Sequence, residues 1–285
     1  MLPDYRQLTE LLQTECGLAL DSESGWDSDS NPWVLFRPLG ADPRNAFAVR
    51  VTVHWRRLII EFELGNFAAD LLRHMSLADE NGRMLFSAIL QNCHEAGADI
   101  LLRVNGQDVA WASEEIWSDP WSRFRLELRK GGLELGAAEG RPDTEIILEW
   151  TGKFMAAIIA ILPLDDEESS EFELQTGFPE GAKTTITVNR YERDRRNRAA
   201  AIAIHGARCK ACEIDFGELY GPVADGYIEI HHVQPVSQLG PGYCIDPFRD
   251  LVPLCANCHA VVHRIDPPMP IERLSELLVS RRTKS

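Results

Sequence analysis

Nowhere does the chain carry an apolar run of the roughly 18 to 20 residues that a transmembrane helix needs. The longest candidate, Phe154 to Leu164, stops at Asp165-Asp166 and reads as a core segment. The start, Met1-Leu2-Pro3-Asp4-Tyr5, lacks the basic residues and apolar stretch of a secretory signal, so a cytoplasmic home is the expectation. No internal repeat recurs along the sequence. Positive charge is scarce in the first part: residues 1–180 hold 15 Lys and Arg against 32 Asp and Glu, a net −17. Such a surface repels a phosphate backbone over most of its area, so nucleic-acid contact belongs elsewhere. Cysteine is scarce there too. Cys16 and Cys93 stand alone in helix-like sequence, where a free thiol behaves as a small buried hydrophobe.

What the sequence does contain is enough for two domains, since 285 residues exceed the usual single core. Leu8, Leu11 and Leu12 have helical spacing up to Gly17, and the Ser- and Asp-rich stretch Asp21 to Pro32 reads as a loop. Trp33 to Phe36 and Ala46 to Leu64 read as sheet, with Val49, Val51 and Val53 alternating against Arg50 and Thr52. Helical patterns follow at Phe67 to Met75 and Met84 to Ala96. Strand candidates come next at Asp99 to Val104 and Arg123 to Arg129, and Thr144 to Ile161 reads as strand then helix. The expectation is an α+β domain over 1–164. A charged and turn-rich linker over 165–182 and a second domain over 183–285 complete it.

The second part differs in kind. From residue 181 onward it has 14 Lys and Arg against 12 Asp and Glu, a net +2, and five of the seven cysteines follow Ala200. Cys209-Lys210-Ala211-Cys212 and Cys255-Ala256-Asn257-Cys258 are two C-x-x-C pairs with 42 residues between them. Each can close a turn on one ion, and together they make the four-thiolate shell of structural zinc. In a reducing compartment matched spacing of this kind points to metal rather than disulfides. Cys244, unpaired, is not expected as a ligand. His231-His232 ends the apolar run Tyr227 to Ile230, while His259 and His263, four apart, share one face of a helix. A lone histidine is most often structural, but this set is what a second metal site with a neighbouring base requires.

These residues resemble the HNH nucleases, and specifically the McrA-like restriction endonucleases with a zinc-stapled core. The resemblance is carried by Glu180-Gly181-Ala182, Tyr191-Glu192-Arg193, His205-Gly206, Asp215-Phe216 and Tyr220-Gly221. It continues through Ile228-Glu229-Ile230-His231-His232-Val233-Gln234-Pro235 and the run from Asp250 to His263. It covers about a third of the chain and implies a ββα-metal fold for the C-terminal domain. His232 matches the general base, and His231 and His259 match ligands of a catalytic divalent ion, with His263 as a third. Asp250 stands where many members carry asparagine, and an aspartate can still accept a hydrogen bond from a histidine ring. The ion would be Mg²⁺ or another divalent metal, and histidine ligands also suit Mn²⁺, Ni²⁺ or Co²⁺.

The implied activity is metal-dependent hydrolysis of DNA phosphodiester bonds, in restriction of modified or foreign DNA. A zinc-stabilised DNA-binding module without cleavage is the alternative, with Asp250 marking lost activity. Arg190, Arg193, Arg195, Arg196 and Arg198 lie on an expected helix ending at Gly206. They read either as a phosphate-contacting face or as a solvated helix pairing with Glu192 and Asp194. Six of the seven tryptophans precede residue 122 and read as packing anchors before they read as a cage for a modified base. The N-terminal domain is left open between base recognition, a protein partner, a homodimer contact and regulation.

Overall fold

The structure, a computed structural model, describes residues 5–136, 141–163, 195–233, 245–265 and 267–282. The expected linker, with Arg190, Arg193 and Cys244, lies outside them.

Alternation builds the first sheet. In β3 (Phe47–His54) Phe47, Val49 and Val51 are buried, and in β4 (Arg57–Leu64) so are Leu58, Ile60 and Phe62. The antiparallel register sets Val49 opposite Phe62 and Val51 opposite Ile60, so both strands turn the same apolar face to the core. With β1 (Leu20–Trp26), β2 (Pro32–Pro38), β5 (Ala98–Val104), β6 (Gln107–Asp108) and β7 (Phe124–Gly131), the order is β1-β2-β3-β4-β7-β5-β6, antiparallel throughout. The opposite face is polar, where Arg50 pairs with Glu63 at 2.5 Å and Arg125 and Arg129 flank the buried Glu127.

Helices α1 (Tyr5–Cys16), α2 (Ala69–Ser76), α3 (Glu80–Glu95) and α4 (Asp143–Ile161) contribute the other side of this core. The N-cap of α3 is Asp79, whose carboxylate accepts the Gly82 N–H at 2.7 Å. Gly82 itself lets α3 touch α4: a Cβ there would lie 2.3 Å from the Ala160 carbonyl oxygen. Cys16 and Cys93 are buried thiols, and burial pushes them up to about 11 and about 12. The tryptophans largely pack. Trp121 is 3% exposed, donates Nε1–H to the Ile116 carbonyl at 2.7 Å, and lies between Trp117 and Phe124.

Two expectations are corrected. Asp21 to Pro32 is not simply a loop, because Leu20–Trp26 is the edge strand β1, paired with β2 from Leu20 opposite Pro38 to Trp26 opposite Pro32. Its polar residues face solvent and only Leu20 is buried, so the ladder rather than apolar alternation holds it. Thr144 to Ile161 is helix throughout. Its second half, Phe154 to Ile161, is buried on all sides because α4 is enclosed by α1, α3 and α5 (Arg195–His205), while its first half keeps a polar face with Glu145, Glu149 and Lys153.

Helix α5 joins the two parts. Its Ala199 and Ala200 belong to the large core, whereas Ile202 belongs to a small core with Cys209, Ala211, Ile228, Leu254, Cys255, Cys258, Val262 and Leu274. Around that small core lie α6 (Phe216–Tyr220), β8 (Glu229–His232), β9 (Leu251–Leu254), α7 (Ala256–Val262) and α8 (Ile271–Arg282).

One carboxyl at this junction sets a pH dependence. Burial, then the facing carboxylates Asp225 and Glu149, push Glu15 up from 4.5 to about 7, against the opposing pull of Arg198. A carboxyl that holds its proton longer in the folded chain makes the unfolded chain ionise first. Its contribution is therefore complete below pH 4.5, is lost as pH rises towards 7, and is level above that. Glu15→Gln is expected to flatten this fall in denaturant titrations between pH 4.5 and 7 and to raise stability at pH 8. An unchanged pH profile would remove Glu15 from the account.

Candidate functional site

The two cysteine pairs meet because each sits where a turn hands the chain to a helix or strand. Cys209 accepts the Glu213 N–H at its carbonyl (2.9 Å), with Glu213 at φ 64°, and Lys210 N–H reaches the Pro253 carbonyl at 2.9 Å. That bond ties the first knuckle to the end of β9. The second knuckle opens α7, with Cys255 as N-cap accepting Cys258 N–H at its sulfur, 3.4 Å away. All four sulfurs lie within 4.8 Å of one another, and Cys212 and Cys255 are 3.8 Å apart. Tetrahedral zinc with Zn–S of about 2.3 Å requires S···S of about 3.8 Å, so the cluster fits such an ion. Burial and its neighbouring cysteines push the Cys258 thiol up, whereas hydrogen bonds hold Cys209 down against its burial. This four-cysteine cluster is a site that could hold structural zinc.

β8 and β9 form a separate antiparallel pair, Glu229 opposite Leu254 and His232 opposite Leu251, and α7 follows at once. Successive side chains on β8 alternate, so Glu229 and His231 share one face and His232 takes the other. The first face meets α7. His231, His259 and His263 have ring centroids 5.0 to 5.2 Å apart and candidate ligand nitrogens within 4.8 Å. His231 is 3% exposed, with Nδ1 buried and lacking a hydrogen-bond partner. Burial first, then His259, His263 and His232, pull it down to about 4, which keeps the ring neutral and its lone pair available. An orphaned nitrogen beside two converging imidazoles fits a divalent ion held by three histidines.

Sequence reasoning assigned no role of its own to Glu229. Its Oε2 lies 2.6 Å from His259 Nδ1, so the ring donates Nδ1–H to the carboxylate and leaves the other nitrogen, Nε2, for a ligand. Carboxylates in this position fix tautomer and orientation for metal-binding histidines. The signal was present in the i, i+2 spacing to His231, but the partner lies 30 residues away.

His232 is 7% exposed on the opposite face of β8. Asp250 lies beside it across the ladder: its carbonyl accepts the Val233 N–H at 2.9 Å, and its Oδ2 accepts the Asp246 N–H at 2.8 Å. His205 Nε2 is 2.9 Å from the Pro247 carbonyl, which ties the end of α5 to the loop before β9.

The arginine row is divided by the fold. Arg196 pairs with both carboxylate oxygens of Asp79 at 3.1 Å. Arg198 turns inward and donates to the carbonyls of Ile228 (2.5 Å) and Gly226 (2.8 Å). These two guanidiniums have partners within the fold, one at the α3 cap and the other at the lead-in to β8. Arg195 is exposed at the start of α5. Comparison with protein-family models, curated proteins and solved structures gives no match.

Proposed function

We propose that the chain is a metal-dependent DNA endonuclease, with the His231, His259 and His263 cluster as its catalytic metal site and His232 as general base. The observation that carries this reading is the convergence of three histidine nitrogens within 4.8 Å beside a fourth histidine on the same short strand. A divalent ion held there supplies positive charge for the phosphate and the leaving oxygen. His232, as neutral imidazole, takes a proton from water. The water oxygen bonds to phosphorus, the P–O3′ bond breaks, and the leaving oxygen is protonated to a 3′-hydroxyl. Asp250 steadies the loop that runs beside His232. Zinc at the four cysteines holds β9 and α7 in register, and Arg195, exposed at the start of α5, contacts phosphate with Arg190 and Arg193. Restriction of modified or foreign DNA is the role this activity would serve.

A second reading has one observation in its favour: His232 is 7% exposed, as a structural histidine would be. A zinc-stabilised DNA-binding module without cleavage follows from it. Plasmid incubated with purified protein and Mg²⁺, Mn²⁺ or Ni²⁺ separates the two, since nicking by any of them favours the nuclease. Glu229→Gln adds an independent check. It is expected to weaken Ni²⁺ or Mn²⁺ binding at the histidine cluster by about 10- to 100-fold while zinc content stays unchanged. Equal affinity of variant and wild type in a calorimetric titration would show that Glu229 does not position a ligand.

A further inference from the structure

The β3–β4 hairpin turns on two residues, since His54 pairs with Arg57 and leaves Trp55 and Arg56 as its loop. Turns of this length favour Asn-Gly and other glycine-containing pairs, which accept positive φ without strain. Here Arg56 takes φ 56°, a left-handed conformation uncommon for a long side chain, and Trp55 stands 86% exposed. The tip is nonetheless held. Leu133 N–H donates to the Arg56 carbonyl at 3.1 Å, and Arg56 Nε–H donates to the Leu133 carbonyl at 3.3 Å. A strained backbone that its surroundings fix, carrying a large aromatic into solvent, belongs to ligand contact rather than to packing. Charge narrows the ligand. The Arg56 guanidinium lies 5.9 Å from the Trp55 ring centre, Arg57 is exposed beside it, and neither pairs with a carboxylate among the described residues. Elsewhere on this domain Arg37, Arg44, Arg50, Arg73 and Arg103 each meet one.

We propose that this tip binds single-stranded or locally unstacked DNA, with Trp55 stacking on a base and Arg56 and Arg57 meeting the adjacent phosphates. The proposal rests on DNA being the substrate, and it names a place where that substrate is gripped away from the histidine cluster. An indole offers a flat face to any base, and a guanidinium offers a fork of donors to phosphate oxygens. In an intact duplex neighbouring bases cover each base face, so the contact requires an unpaired stretch or a base turned out of the stack. A protein partner also accepts tryptophan and arginine, but two cations left without carboxylates on an otherwise acidic domain favour phosphate. Trp26, the other strongly exposed tryptophan, is followed instead by Asp27 and Asp29.

Fluorescence anisotropy of a short labelled single-stranded oligonucleotide, titrated with the zinc-loaded full chain and no other divalent ion, tests this. Trp55→Leu, which stays apolar but cannot stack, is expected to weaken binding about 10-fold, while Trp55→Phe retains most of it. Arg57→Gln is expected to lower the slope of log affinity against log salt by about 0.7, one phosphate contact on a single strand. Both positions are exposed, so the core is left alone. Trp55→Leu binding as tightly as wild type, or an unchanged salt slope in Arg57→Gln, overturns the proposal, as does wild-type protein that binds no single strand. So does a dimer that Trp55→Leu splits in sedimentation with DNA binding unchanged, which would assign the tip to a second copy of the chain. Plasmid nicking is read separately. Binding that depends on Trp55 without nicking counts against the nuclease and not against this site, and nicking with binding indifferent to Trp55 does the reverse.

Discussion

Cys258→Ser is expected to unfold the C-terminal part of the chain while the N-terminal sheet stays native, and to release the zinc. The small core explains the size of the effect: three of its nine buried members, Cys209, Cys255 and Cys258, are candidate ligands themselves. Removing one would remove both a core side chain and a ligand of the zinc that the cluster could hold. Structural zinc contributes about 10 to 16 kcal/mol in isolated zinc-finger peptides, comparable with the roughly 5 to 15 kcal/mol net stability of a whole domain. The large core depends on it far less, because most of its contacts are apolar side chains from the seven-stranded sheet and α1 to α4, with α5 adding only Ala199 and Ala200. All seven tryptophans lie at or before Trp150, so tryptophan fluorescence should remain native while amide protection across β8, β9 and α7 is lost. A strong chelator should reproduce the variant. Retained protection in zinc-free protein would show that the four cysteines do not hold the fold together.

Half of each ligand cluster was legible in the sequence because C-x-x-C and an i, i+4 histidine pair are local. Each half follows from a turn or a helix, whereas the meeting of the two cysteine pairs, and of His231 with His259 and His263, depends on β8 pairing with β9. The β-rich middle of the N-terminal part was legible for a similar reason, since Val49 and Val51 alternate with Arg50 and Thr52 over a half-buried surface. What failed to show depended on long-range packing. β1 buries only Leu20 and exists as a strand by pairing with β2. The second half of α4, Phe154 to Ile161, has no amphipathic signature because neighbours enclose it, and an apolar run alone does not distinguish buried strand from buried helix.

The arginines and Glu229 make the same point for function. Arginine spacing on α5 is visible in the sequence, but which side chains meet protein depends on Asp79 from α3 and on two carbonyls ahead of β8. A guanidinium beside a backbone carbonyl contributes to folding, and one in solvent is available to phosphate. Glu229 acquires its role only when α7 folds back over β8 and brings His259 to it.

His232→Ala is expected to lower DNA cleavage by about 10² to 10⁴-fold, the usual contribution of a general base, with both metal sites intact. The alternation of β8 is the reason for that separation. His231 faces the histidine cluster and His232 the opposite side, so shortening His232 removes a proton acceptor and leaves the three candidate ligands in place. Metal dependence then distinguishes base from ligand. A Glu229→Gln or His263→Ala enzyme should recover activity as Mn²⁺ or Ni²⁺ is raised, because the deficit lies in occupancy. The His232→Ala enzyme should not recover at any metal concentration, because the deficit lies in proton transfer. Cleavage at wild-type rate by His232→Ala would take the base away from this residue. Absence of nicking by the wild type with every divalent ion, on modified and unmodified DNA alike, would leave the zinc-stabilised binding module as the reading that fits a histidine 7% exposed.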